Sequence, residues 1–150
     1  MAYKLMLAGS PFGMPFIWNV SKHVGPAKAH PNQATDVELV QILLAESIKR
    51  GWPDEAASSG VGAPPVTVDG KFNSVLGFWI FYAQRYDGPS SATVDGVVSP
   101  AHGMMYGGAP WVIAKLNNFL RFKDFNTWSK LDSDTRLSME LRSELKTTSP

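Results

Sequence analysis

The densest apolar run in the chain, Val75-Leu76-Gly77-Phe78-Trp79-Ile80-Phe81-Tyr82-Ala83, meets no polar residue before Gln84. A helix that is apolar on every side is normally buried, so this run predicts a helix from about Asn73 to Arg85 at the centre of the core. Upstream, Val37, Val40, Leu44 and Ile48 recur at helical spacing with Leu43 beside them, behind a Thr35-Asp36-Val37-Glu38 stretch that has capping-box spacing. The pattern predicts a helix from Thr35 to about Arg50, stopped by Gly51 and Pro53. A third helix is expected to open at Pro110 and to carry Trp111, Ile113, Leu116, Phe119 and Leu120 as far as about Arg121. Near the end, Asp132 or Ser133 is expected to cap a helix bearing Leu137, Leu141 and Leu145. A stripe that narrow suits a helix lying on the domain surface or docking on a partner. The β-prone segments 3–7 and 16–20 flank a loop rich in Gly and Pro and are read as a hairpin.

A tetrapeptide occurs twice, as Thr67-Val68-Asp69-Gly70 and as Thr93-Val94-Asp95-Gly96. In each copy the carboxylate can accept a backbone N–H and the glycine can take positive φ, so Asp69, Gly70, Asp95 and Gly96 are read as tight turns. The same two carboxylates invite comparison with a catalytic pair or a calcium loop. Each turn, however, offers a single acid where a calcium loop needs several oxygens, and sequence does not place the two acids in one cleft.

The composition narrows the function classes. At 150 residues the chain has the length of one domain. Charged residues make up only 18%, against about 25% in a typical soluble domain, and 13 Gly with 11 Pro imply many turns. A net charge of +1, with no basic cluster longer than Lys49-Arg50, leaves no footprint for nucleic acid. The lack of cysteine excludes disulfides, thiolate zinc sites and thiol catalysis. No run approaches the ~18 apolar residues of a membrane span, and Leu5-Met6-Leu7-Ala8 falls short of a signal-peptide core of about 7–15. Synthesis in the cytoplasm is expected, with any release by a non-classical route such as a secretion apparatus or phage lysis.

His23, His30 and His102 show no closely spaced ligand pair, which leaves only a metal site assembled from distant residues, and none is assigned. Ser10 lies in Gly-Ser-Pro rather than in a nucleophile elbow, so no catalytic residue and no cofactor are assigned either. Tyr106 and Trp111 stand beside glycines after the second turn. There an aromatic plate can stack on a sugar or a peptide, with His102 and Asn73 supplying hydrogen bonds. These four form the candidate ligand-binding set, although Trp111 also suits the first core position of its helix.

One further reading comes from the order of these motifs. Asp36, Val37, Val40, Gln41, Leu43 and Leu44, then Asp69, Gly70 and Phe72, then Gln84, then Asp95, Gly96 and Pro100, and finally Trp111 and Leu116 together resemble the peptidoglycan-binding-like domain attached to wall hydrolases, phage lysins and secretion-associated proteins. The resemblance spans about 24–117. It departs from the family at Asn73-Ser74, where Gly-Pro is usual, at Ala83, at Ser99 and in the longer link 101–109. It implies a mainly α fold, a small three-helix bundle at 24–121, preceded by a β-prone extension at 1–23 and followed by a helical extension at 122–150. The function it implies is non-catalytic binding of peptidoglycan or a cell-wall fragment. The alternative is a structural or adaptor protein of a phage-like particle or secretion system, contacting a protein partner through the C-terminal helix. A compact hydrolase is disfavoured, because the regions outside the resemblance are too short for a catalytic domain.

Overall fold

The computed structural model describes residues 1–10, 13–26, 28–52, 64–86, 94–106 and 109–148, with the side chains of Tyr86, Tyr106 and Ala109 outside the description. Among these residues the fold is mainly helical. It comprises α1 (Ala34–Lys49), α2 (Ser74–Tyr86), α3 (Val112–Lys123), the short α4 (Phe125–Ser129) and α5 (Met139–Glu144), with one 3-10 turn at Leu131–Ser133. Two small antiparallel sheets accompany them, β1 (Tyr3–Met6) with β2 (Phe16–Asn19) and β3 (Met105–Tyr106) with β4 (Ala109–Pro110). The expected N-terminal hairpin is present, in the register Tyr3↔Asn19 to Met6↔Phe16.

The core is organised by α1, not by α2. Val37, Leu39, Val40, Ile42, Leu43 and Leu44 are all fully buried, and the helix packs against α3, α5 and β2. Most of its polar residues are buried as well, and Asp36, Glu38, Gln41 and Glu46 are satisfied by distant parts of the chain. Asp36 accepts hydrogen bonds from the Ser21 and Lys22 backbone N–H groups at 2.9 and 3.0 Å and from Ser21 Oγ at 3.0 Å. Burial pushes its carboxyl above the ordinary aspartate range, and the Ser21 hydrogen bonds partly offset that rise. Glu38 accepts from the Ser138 backbone N–H at 2.5 Å and Ser138 Oγ at 2.7 Å. The capping box is therefore not formed. The helix begins at Ala34 behind Gln33, Thr35 Oγ1 has no hydrogen-bond partner, and Glu38 is spent on α5.

In α2 the buried apolar residues are Leu76, Trp79, Ile80 and Ala83, which share one face, whereas Phe78 and Phe81 are 49% and 43% exposed. The helix is thus half-buried despite its uninterrupted apolar sequence, because only one face reaches the core. Two other boundaries shift. Pro110 lies in β4 opposite Met105, and Trp111 N–H donates to Met104 O at 3.1 Å, so the chain stays extended and α3 starts at Val112. Ser138, not Asp132 or Ser133, caps α5 by accepting from Leu141 N–H at 3.1 Å. Leu137, Leu141 and Leu145 are 2%, 0% and 0% exposed. The leucine stripe is packed inside the chain, which agrees with a helix lying on the domain and leaves no leucine face for docking on a partner. The C-terminal segment closes instead on the N-terminal hairpin, Ala2 N–H donating to Glu144 Oε2 at 2.8 Å and Lys4 N–H to Thr147 O at 3.0 Å.

Amide side chains pin these pieces together. An Asn or Gln side chain carries one carbonyl and one N–H₂, so it can pair with a backbone segment as another peptide group would. Asn117 does this with Trp18, accepting from its N–H and donating to its carbonyl, both at 2.9 Å, while also accepting from Trp128 Nε1. Asn19 does it with Ala101, at 2.9 and 3.0 Å. Around Asn117, Phe16 stacks on Trp128 at 4.8 Å and meets Trp18 edge-on at 5.0 Å.

Candidate functional site

The two Asp-Gly turns are built alike. At the first, Gln41 Oε1 accepts from Asp69 and Gly70 N–H at 2.9 and 2.8 Å, while its Nε2 donates to Asp69 Oδ1 at 2.9 Å and Lys71 O at 3.0 Å. At the second, Gln84 Oε1 accepts from Gly96 N–H at 2.8 Å, while its Nε2 donates to Asp95 Oδ1 at 2.9 Å and Val97 O at 3.0 Å. In each, the Asp oxygen also accepts the N–H two residues on, from Lys71 and from Val97, at 2.9 Å. Gly70 and Gly96 take φ of 69° and 73°, a region costly for other residues. Hydrogen bonds from Gln41 and from the Lys71 backbone hold the Asp69 carboxyl below its usual range. Both carboxylates therefore serve their own turns.

The second turn leads through Val98, which bridges to Val24, into the segment 101–106. There the structure brings two of the four candidate ligand residues together, His102 meeting Trp111 edge-on at 6.1 Å. His102 also lines an open cleft of about 380 Å³, whose walls are the segments 5–10 and 102–105. The cleft is apolar at Leu5, Leu7, Met104 and Met105 and polar at Ser10 and His102. Asn73 does not join them. It sits at the start of α2, the opposite end from Gln84, and its Oδ1 caps that helix by accepting from Leu76 N–H at 2.9 Å. Tyr106 lies in β3, paired with Ala109, and its side chain is outside the described residues. Sequence reasoning missed the wall formed by 5–10, because nothing in a β-prone segment says which loop it will face.

A second polar cluster joins α1 to the C-terminal part. Glu46, 3% exposed, receives both Arg50 and Arg136, and Arg50 continues to Asp124 Oδ2 at 2.5 Å. Burial works against the Glu46 carboxylate, but the two guanidinium groups outweigh it and hold the carboxyl below its ordinary value. Asp124, which accepts from the Thr127 N–H as a helix cap and pairs with Arg50, is lowered to about 2. Every charge here is matched, which is what a structural tie requires. Among the described residues no group of three or more His, Asp or Glu converges to hold a metal, and no helix is long and apolar enough to cross a membrane. Compared with protein-family models, with curated proteins and with solved structures, the chain matches none of them.

Proposed function

We propose that the chain is a non-catalytic binding module of the peptidoglycan-binding-like kind, taking a peptidoglycan fragment in the cleft beside His102 and Trp111. The observation that carries this reading is the paired clamp. Gln41 and Gln84 are among the positions that carry the resemblance, and each holds its own Asp-Gly turn by three equivalent hydrogen bonds, to the Gly N–H, the Asp carboxylate and the carbonyl after the glycine. Positions that match a family pattern by chance have no reason to act as a repeated structural set. In this reading α1, α2 and α3, joined by the two turns, form the three-helix bundle, and the hairpin contributes one wall of the ligand cleft. The cleft's mixture of thioether, aliphatic and hydrogen-bonding groups suits a ligand with apolar faces and polar edges, and its volume lies within the range of small-ligand sites.

The test is co-sedimentation with insoluble sacculi, comparing the wild type with His102→Ala, an exposed position whose loss leaves the core intact. Saturable pelleting that weakens severalfold in the variant is the expected result. Pelleting no greater than that of an unrelated protein of similar charge overturns the proposal.

One observation favours the second reading, a borrowed fold used as an adaptor. Phe78 and Phe81 stand on the outer face of α2, with Phe78 stacked on Tyr82 at 6.0 Å. Under that reading the sacculus assay is negative, and Phe78→Ser with Phe81→Ser abolishes a protein–protein contact without unfolding the chain.

A further inference from the structure

The two histidines outside the cleft meet where the chain turns back before α1. Between Val24 and α1 the chain folds back on itself, Gly25 N–H donating to Asn32 Oδ1 at 2.9 Å and Asn32 Nδ2 to Gly25 O at 2.8 Å. Asn32 adopts φ 44°, a left-handed conformation uncommon outside glycine. Gly25 is required by contact: a Cβ there would lie 2.8 Å from His30 Cδ2 and 2.9 Å from Val97 Cγ2. The His30 ring therefore rests on the Gly25 backbone, with its centroid 5.7 Å from that of His23 and the planes inclined by 43°. His23 is held in turn by a 3.0 Å hydrogen bond between its Nδ1 and Ser99 Oγ.

The ring separation is close to that of two imidazoles on a shared ion. A metal bonded to an imidazole nitrogen at about 2.0–2.1 Å lies roughly 3.2 Å from the ring centroid. Two rings on one tetrahedral ion then have centroids roughly 5.2 Å apart, so the observed 5.7 Å pair needs to close by about 0.5 Å. With Nδ1 engaged by Ser99, His23 offers Nε2, and the hydroxyl orients the ring as outer partners of metal-bound histidines do. The Cδ2–Nε2 edge of His30 packs on Gly25, so Nδ1 is the ring nitrogen on the side away from that backbone. We infer that His23 and His30 form a two-histidine site for an imidazole-preferring divalent ion of the Zn²⁺, Ni²⁺ or Cu²⁺ class, with water at the remaining positions. Because no third protein ligand converges among the described residues, the site is open and exchangeable. The inference stands independently of the wall-binding reading.

The experiment is a titration of the tag-free chain with Zn²⁺, followed through the imidazole carbon-bound proton signals. The His23 and His30 signals are expected to move together and saturate at one equivalent while those of His102 stay in place. His23→Ala or His30→Ala should weaken binding at least tenfold, and His102→Ala should leave it unchanged. The inference is overturned if the His23 and His30 signals do not move together, or if a folded single variant binds as the wild type does. His30 packs against backbone, so circular dichroism checks the fold of its variant. The exposed His23 carries the test alone if His30→Ala does not fold.

Discussion

The turns at Asp69-Gly70 and Asp95-Gly96 have the same tetrapeptide and the same kind of clamp, yet they are tied into the molecule differently. The first is held by Gln41 from the fully buried middle of α1, 28 residues away in the chain, and its glycine faces the start of that same helix. The second is held by Gln84 from the end of α2, 11 residues away, and its glycine faces open space. Local sequence is thus enough to shape an Asp-Gly turn, whereas its weight in the fold depends on what the clamp is anchored to. The first turn secures α2 to the organising helix, and the second only returns the chain after α2.

Removing the clamps should break the comparison most strongly. Gln41→Ala removes four hydrogen bonds and Gln84→Ala three. At about 1 kcal/mol for each net hydrogen bond, losses of roughly 3–4 and 2–3 kcal/mol are expected in urea unfolding. Equal losses would mean that the anchoring helix does not matter. The glycines sharpen the same contrast with a smaller effect. Both have positive φ, so an alanine at either costs about 1 kcal/mol or more in backbone conformation. At Gly70 the new Cβ also comes within 3.1 Å of Ala34 O, whereas at Gly96 it meets nothing within 4 Å. Gly70→Ala is therefore expected to lower the midpoint of thermal unfolding further than Gly96→Ala, with circular dichroism as the readout.

The smallest expected effect is electrostatic. The folded-state value of Asp69 lies below its unfolded one, so its contribution is complete above the ordinary carboxylate range near ~4 and disappears as pH falls through the folded value. Asp69→Asn should flatten the acid limb of the stability curve slightly, because the group is exposed and water screens it. Asp124, lowered to about 2, sets the scale: Asp124→Asn should remove a larger share of the stability that the wild type loses between roughly pH 4 and 2. An Asp69 effect as large as that of Asp124 would mean that the turn carries more of the fold than its exposure implies.

Much of the fold was legible in the chain. The hairpin, the first two helices to within about two residues, and the existence of the third and C-terminal helices followed from periodicity, turn chemistry and breakers. The candidate site was legible only in part: His102 and Trp111 do meet, but Asn73 caps a helix and the wall at 5–10 went unforeseen. The errors share a cause. The capping box, the all-buried α2 and the docking role of the leucine stripe were each inferred from one segment, and in each the outcome was set by parts of the chain far away: Glu38 and the leucines found partners there, whereas the outer face of α2 found none. Glu38 is taken by Ser138, 100 residues on, and so is not available to the start of its own helix.

What the sequence by itself determined was local, namely where the chain turns at Asp-Gly, where it becomes helical and which residues could face inward. Those outcomes depend on torsional preference and on neighbours within a turn or two. Only the tertiary structure decided which helix became the centre, where Leu137, Leu141 and Leu145 were buried, and which backbone each of Asn19, Asn117, Gln41 and Gln84 would clamp. An amide can pair with any peptide group, and an apolar stripe with any apolar surface. Their partners are chosen when the whole chain closes and each buried polar group must find its match.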